Sequence, residues 1–182
     1  MTKTQMYSLA LIVDQKTSSF VEHIRLGDTR GFPAHCTVKG RFASTESDDF
    51  IFSYAYQCLK QINWNQKFMF SGPHYIDGRT KWIEHEDRTS SVFKLHYALL
   101  AQLNELYLPD NDRCISGEFE REGYRPHISL DWYFDRRRIF IPSGNIMERL
   151  SIEVAFQSLA LIKYNLTGPT PEISILHSEP LR

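Results

Sequence analysis

The sequence predicts an α+β protein of two similar lobes, each an antiparallel sheet with helices packed outside, and three observations carry that reading. Segments with strand-like apolar runs alternate along the chain with segments at helical spacing. An Asp77-Gly78 step between two β-type runs marks a hairpin, whose strands are antiparallel by construction. The order strand, helix, histidine-bearing strand, helix, hairpin in the first half is loosely echoed by helix, histidine-bearing strand, hairpin in the second. A length of 182 residues suits one bilobal domain over 1–182 better than two independent domains.

Each element has a local reason. Residues 6–13 form a nearly continuous apolar run with aromatic and β-branched members, the pattern of a buried strand. Phe20, Val21 and Ile24 then recur at helical spacing over 14–26, ahead of Gly27. After Gly31-Phe32-Pro33 a strand is expected over 34–42. The stretch 44–49 is rich in helix-capping and first-turn residues, and Ile51, Tyr54, Ala55, Cys58 and Ile62 share one face of a helix ending near 61. Residues 67–75 and 80–86 are the hairpin strands. Apolar positions 92, 95, 99, 103 and 106 make 90–106 the clearest amphipathic helix. A polar loop is expected over 109–122 and a strand over 125–133. Residues 152–164 and 172–176 read as two closing strands joined by 165–171.

Composition narrows the function classes. A net charge of −1 and a pI near 6.7 argue against a dedicated duplex binder, so any phosphate contact must be local. Cys36, Cys58 and Cys114 are odd in number and form no CxxC pair, which points away from a disulfide framework or zinc site and toward a reduced, cytoplasmic setting. The N-terminus lacks the pattern of a signal peptide, and no apolar run approaches the roughly 20 residues of a spanning helix. His23, His74, His85, His96 and His177 show no ligand spacing, so no metal and no cofactor are expected.

Two tripeptides carry the chemistry, His35-Cys36-Thr37 and His127-Ile128-Ser129. Seven histidines, each followed two positions on by Ser or Thr at a frequency of 26/182, give about one such tripeptide by chance, so the pattern alone proves little. Strand alternation adds the argument. Residues two apart share a face, which sets His35, Thr37, Lys39 and Arg41 against Cys36, Val38, Gly40 and Phe42. In the second strand it sets Arg125, His127, Ser129, Asp131 and Tyr133 against Ile128, Leu130, Trp132 and Phe134. Each half therefore presents an imidazole, a hydroxyl and a cation on one polar face. One imidazole can take a proton from an attacking oxygen while the other, protonated, gives one to the leaving oxygen. The hydroxyls can donate to a nonbridging phosphoryl oxygen, and Lys39, Arg41 and Arg125 can offset its charge. Tyr124 and Tyr133 are the aromatics best placed to stack a base, Trp132 and Cys36 read as packing, and Arg136-Arg137-Arg138 fits an RNA grip or an exposed turn equally well.

At these residues the chain resembles the 2H phosphoesterase superfamily, which includes bacterial 2′-5′ RNA ligase-like proteins and 2′,3′-cyclic nucleotide phosphodiesterases. The family's mark is a pair of His-x-Thr/Ser motifs, one per lobe, set among apolar residues. Here they read Ala-His35-Cys-Thr37-Val and Pro-His127-Ile-Ser129-Leu, and Phe156 to Tyr164 with Ile173 to Leu181 looks like the closing strand pair. The resemblance implies two lobes flanking a central groove, with His35, Thr37, His127 and Ser129 catalytic. It implies metal-independent hydrolysis of 2′,3′-cyclic phosphates of nucleotides or RNA ends to 2′-phosphates. A 2′-5′ RNA ligase or phosphodiesterase activity, and a non-catalytic RNA- or nucleotide-binding protein using the same groove, are the alternatives. A monomer acting on a nucleotide or RNA-terminus phosphate, away from membranes, is the expectation.

Overall fold

The computed structural model describes residues 5–24, 33–64, 66–76, 80–103, 121–130, 150–165 and 172–181. The expected contributions of Tyr133, Asp131, Trp132, the Arg136-Arg138 cluster, Cys114, most of the 109–122 loop and the Asp77-Gly78 turn lie outside these residues.

The described strands are β1 (Gln5–Val13), β2 (His35–Ser44), β3 (Phe68–Ile76), β4 (Thr80–Glu84), β5 (His127–Ser129), β6 (Leu150–Val154), β7 (Phe156–Asn165) and β8 (Glu172–Pro180). The helices are α1 (Gln15–Ile24), α2 (Asp48–Lys60) and α3 (Ser91–Leu103). Their locations follow the sequence pattern. Ser47 caps α2 by accepting from the Phe50 amide at 3.2 Å, and Asp48 and Asp49 in its first turn oppose the positive end of the helix dipole. α2 buries Ile51, Ala55, Cys58 and Leu59, and α3 buries Val92, Leu95, Leu99 and Leu103, all at three- and four-residue spacing.

The protein is α+β, but the expected pair of lobes with separate sheets gives way to one eight-stranded antiparallel sheet in the order β6-β3-β4-β5-β2-β1-β7-β8. The two histidine strands, β2 and β5, are its central pair, so each carries one four-stranded half. Among the described residues, Cys36 opposite Ile128 is their registered pair.

The stretch 152–164, expected as one strand, is split at Ala155 into β6 and β7. β6 pairs with β3 and β7 with β1, so the two themselves stand six strand places apart. In a flat sheet that separation would be about 29 Å, yet the Cα atoms of Val154 and Phe156 are two chain steps apart, at most ~7.6 Å. The sheet must therefore curl strongly about the seam. The result is a shared core, in which Phe156 from one half packs on Phe68 and Phe70 from the other at ring-centroid distances of 5.2 and 6.1 Å. One face of the central strands, with Leu11, Cys36, Ile128 and Ile83 fully buried, lies on that core under the helices. The opposite face carries the histidines.

Candidate functional site

Antiparallel pairing turns the two motifs into a compact patch. Because Cys36 faces Ile128, His35 stands beside Ser129 and Thr37 beside His127, with all four side chains on the face away from the core. Residues two apart on a strand are separated by about 6.5–7 Å and cross-strand neighbours by about 4.5–5.5 Å, so the histidines occupy one diagonal of a four-cornered site and the hydroxyls the other. All four are half-buried.

Both imidazoles are held in the same way. His35 Nδ1 donates to the Pro33 carbonyl at 3.0 Å and His127 Nδ1 to the Arg125 carbonyl at 2.8 Å, in each case two residues back. A carbonyl only accepts, so each Nδ1 carries the proton and the lone pair of the neutral ring falls on Nε2. That fixes orientation and tautomer together. Burial holds the His127 pKa below the ordinary imidazole value, with the Arg125 carbonyl and the charge of Glu84 acting in the opposite sense.

β4 supplies two neighbours, of which sequence reasoning missed Glu84 as a site residue. Glu84 stands opposite His127, and Trp82 opposite Ser129. Trp82 is buried, packs its ring 4.9 Å from that of His127, and donates Nε1–H to Glu84 Oε2 at 3.2 Å. Arg125, exposed at the rim, reaches within 4.0 Å of the same carboxylate oxygen. No tripeptide signals Glu84; only the β4–β5 register brings it here.

The remaining candidates divide. Arg41 lies on the histidine face and is exposed. Lys39 does not follow the expected alternation. Two irregularities in the β1–β2 ladder shift the register between Ala10↔Thr37, Leu9↔Lys39 and Tyr7↔Phe42, which sets Lys39 opposite the core residue Leu9. It is 2% exposed, with its ammonium 5.9 Å from the centre of the Phe42 ring. Tyr124 is likewise not open for base stacking. It is buried behind β2, stacked on His96 at 3.7 Å, and its hydroxyl donates to the Thr37 carbonyl at 2.9 Å. His96 Nδ1 donates to the next carbonyl, of Val38, at 2.7 Å. The pair thus grips the irregular part of β2 from beneath, and Tyr124, three residues before His127, ties one motif to the other. Burial pushes the Cys36 thiol up to about 12, which suits packing rather than a nucleophilic thiolate. Among the described residues no cluster of three or more His, Cys, Asp or Glu is placed to hold a metal ion, and no helix is long and apolar enough to cross a membrane.

No family model and no curated protein matches the sequence. Solved structures do. Escherichia coli LigT complexed with 3′-AMP aligns with a TM-score of 0.52 at 15% identity, covering 98% of each chain. TT0787 of Thermus thermophilus gives 0.59 at 16%, covering 97% of this chain and 98% of its own, and a further structure described as a phosphoesterase gives 0.52 at 16% over the same shares. LigT has also been solved with phosphate, NADP+ and ATP. Over nearly its whole length the chain therefore has the fold of LigT and of a structure described as a phosphoesterase, in keeping with the family that its paired histidine motifs resemble.

Proposed function

We propose that this protein is a phosphodiesterase that opens 2′,3′-cyclic phosphates of nucleotides or RNA ends to 2′-phosphates by two-histidine acid–base catalysis. The observation that carries the reading is the four-cornered patch, in which two imidazoles with matched Nδ1 anchors flank two hydroxyls on adjoining strands. A phosphate over the centre of the patch meets one imidazole on each side. Neutral His127 removes a proton from water as the oxygen attacks phosphorus; the P–O3′ bond breaks, and protonated His35 delivers its proton to the departing O3′. Thr37 and Ser129 donate to the nonbridging oxygens, where negative charge grows. The depressed pKa of His127 supports its part as base, since a ring held neutral is ready to accept. These proton movements are complete without a metal. The fold shared with LigT, solved with several nucleotides and with phosphate, supports a nucleotide phosphate as the ligand.

The test is ³¹P NMR of a nucleoside 2′,3′-cyclic phosphate incubated with protein and excess EDTA. Conversion to the 2′-phosphate is expected in the wild type, and a loss of about 10²–10⁴-fold in both His35→Ala and His127→Ala, the usual contribution of a positioned acid or base. Undiminished turnover in either variant overturns the mechanism. Binding without turnover in the wild type favours a nucleotide-binding protein.

A further inference from the structure

Away from the four-cornered patch, the histidine face carries one apolar cluster separate from the main core. Ala10 and Ile162, fully buried, are packed by half-buried Tyr164 and Ile173. The Tyr164 hydroxyl, coming from β7, lies 2.9 Å from Ser8 Oγ on β1, so the ring leans from β7 across β1 toward β2. There the Arg41 guanidinium sits over it, 6.0 Å from the ring centre. The placement is close to the chemistry. Ala10 pairs with Thr37, Ser8 is two residues farther along β1 on the same face, and the Tyr7↔Phe42 pairing sets Arg41 beside Ser8. From the centre of the patch to this row is on the order of 10 Å, three residues of strand, a span comparable with one nucleoside.

We propose that Tyr164 and Arg41 form a nucleobase subsite, which holds the base of the nucleotide whose phosphate lies between His35 and His127. The proposal rests on the phosphate site argued above and adds what the site recognises beyond phosphate. An aromatic face and a guanidinium are the two surfaces on which a base stacks without regard to its identity. Two stacked layers require roughly 7 Å at ~3.5 Å each, so a base slips between ring and guanidinium with an outward movement of Arg41 of about 1 Å. Arg41 is exposed and unbranched, free to make that movement, while the Ser8 bond and the Ala10–Ile162 floor hold the ring. The second irregularity in β2 is what returns Arg41 to this face after Lys39 has turned to the core.

Calorimetric titration with adenosine 2′-phosphate and with inorganic phosphate separates this subsite from the catalytic reading. The wild type is expected to bind the nucleotide at least about ten-fold more tightly than phosphate, the size of one base stack. Tyr164→Leu and Arg41→Gln are expected to lose that preference, and Tyr164→Phe, which keeps the ring, to retain it, with circular dichroism confirming that each variant is folded. A preference undiminished in folded Tyr164→Leu, or a wild type that binds both alike or neither, overturns the subsite. A preference lost in Tyr164→Leu by a wild type that turns over no cyclic phosphate supports the subsite while the catalytic reading falls.

Discussion

Glu84 faces His127 across the β4–β5 ladder, mostly buried, with Trp82 Nε1–H and Arg125 on the same oxygen. Its charge favours the imidazolium that His127 becomes on taking a proton, against the burial that keeps the resting ring neutral. The acid limb of the kcat/KM–pH profile is therefore expected below the ordinary value of 6.5. Glu84→Gln removes the opposing charge, so the limb moves to still lower pH while the plateau falls about ten-fold, near 1.4 kcal/mol of lost transition-state stabilisation. A limb and plateau that both stay put would reduce Glu84 to a support for Trp82. Stability follows the same sign. The folded state prefers neutral His127, so this contribution is complete above 6.5 and is lost as pH falls through the lower folded value. The histidines and hydroxyls were legible because a two-residue period is written in the sequence. Glu84 was not, since neighbours across a ladder depend on register, and Lys39 was misplaced because alternation assumes an unbroken ladder.

The three helices were legible from end to end within the described residues, because capping and spacing agree. The β6–β7 division was hidden: Val154-Ala155-Phe156 is continuously apolar and contains no Gly or Pro to mark a break. Helix α2 also shows how an element is fixed to its sheet. Asp48 accepts from the Tyr7 hydroxyl of β1 at 2.6 Å and pairs with Lys163 of β7 at 3.2 Å, while the His177 ring of β8 stacks on Phe52 and its Nε2 lies 3.1 Å from Asp49. Burial raises the Asp48 pKa, but the Tyr7 hydrogen bond and Lys163 outweigh it and hold the carboxyl below its ordinary 3.8. A depressed carboxyl stabilises the fold above the unfolded value and loses that effect as pH drops through the folded one. Asp48→Asn is expected to cost about 1 kcal/mol in urea unfolding at pH 7, discounted for partial exposure, with the deficit narrowing below pH 3.8. An equal deficit at both pH values would mean that shape rather than charge holds the helix start.

At the scale of the molecule, two four-stranded halves meet at the β2–β5 ladder, and a ladder alone would let them open independently. The chain prevents this by passing straight from β6 into β7, which places Phe156 against Phe68 and Phe70 and leaves the Ala155 carbonyl to accept from Asp14 at 2.8 Å, just past β1. The positions of His35 and His127 relative to each other thus depend on a core that neither half completes alone. Phe156→Ala empties that junction at a cost of about 3 kcal/mol, the low end for a buried aromatic, and is expected to lower Tm by roughly 6–12 °C for a chain of this size. Because the junction belongs to both halves, unfolding is expected to remain one transition, with the fluorescence of the three tryptophans, of which Trp64 and Trp82 lie in or beside the β3–β4 half, coinciding with far-ultraviolet circular dichroism. Two separated transitions in the variant would show that each half holds a sufficient core of its own, and the geometry of the histidine pair would then have to be kept by the Tyr124 bond to Thr37 and the Cys36–Ile128 pairing.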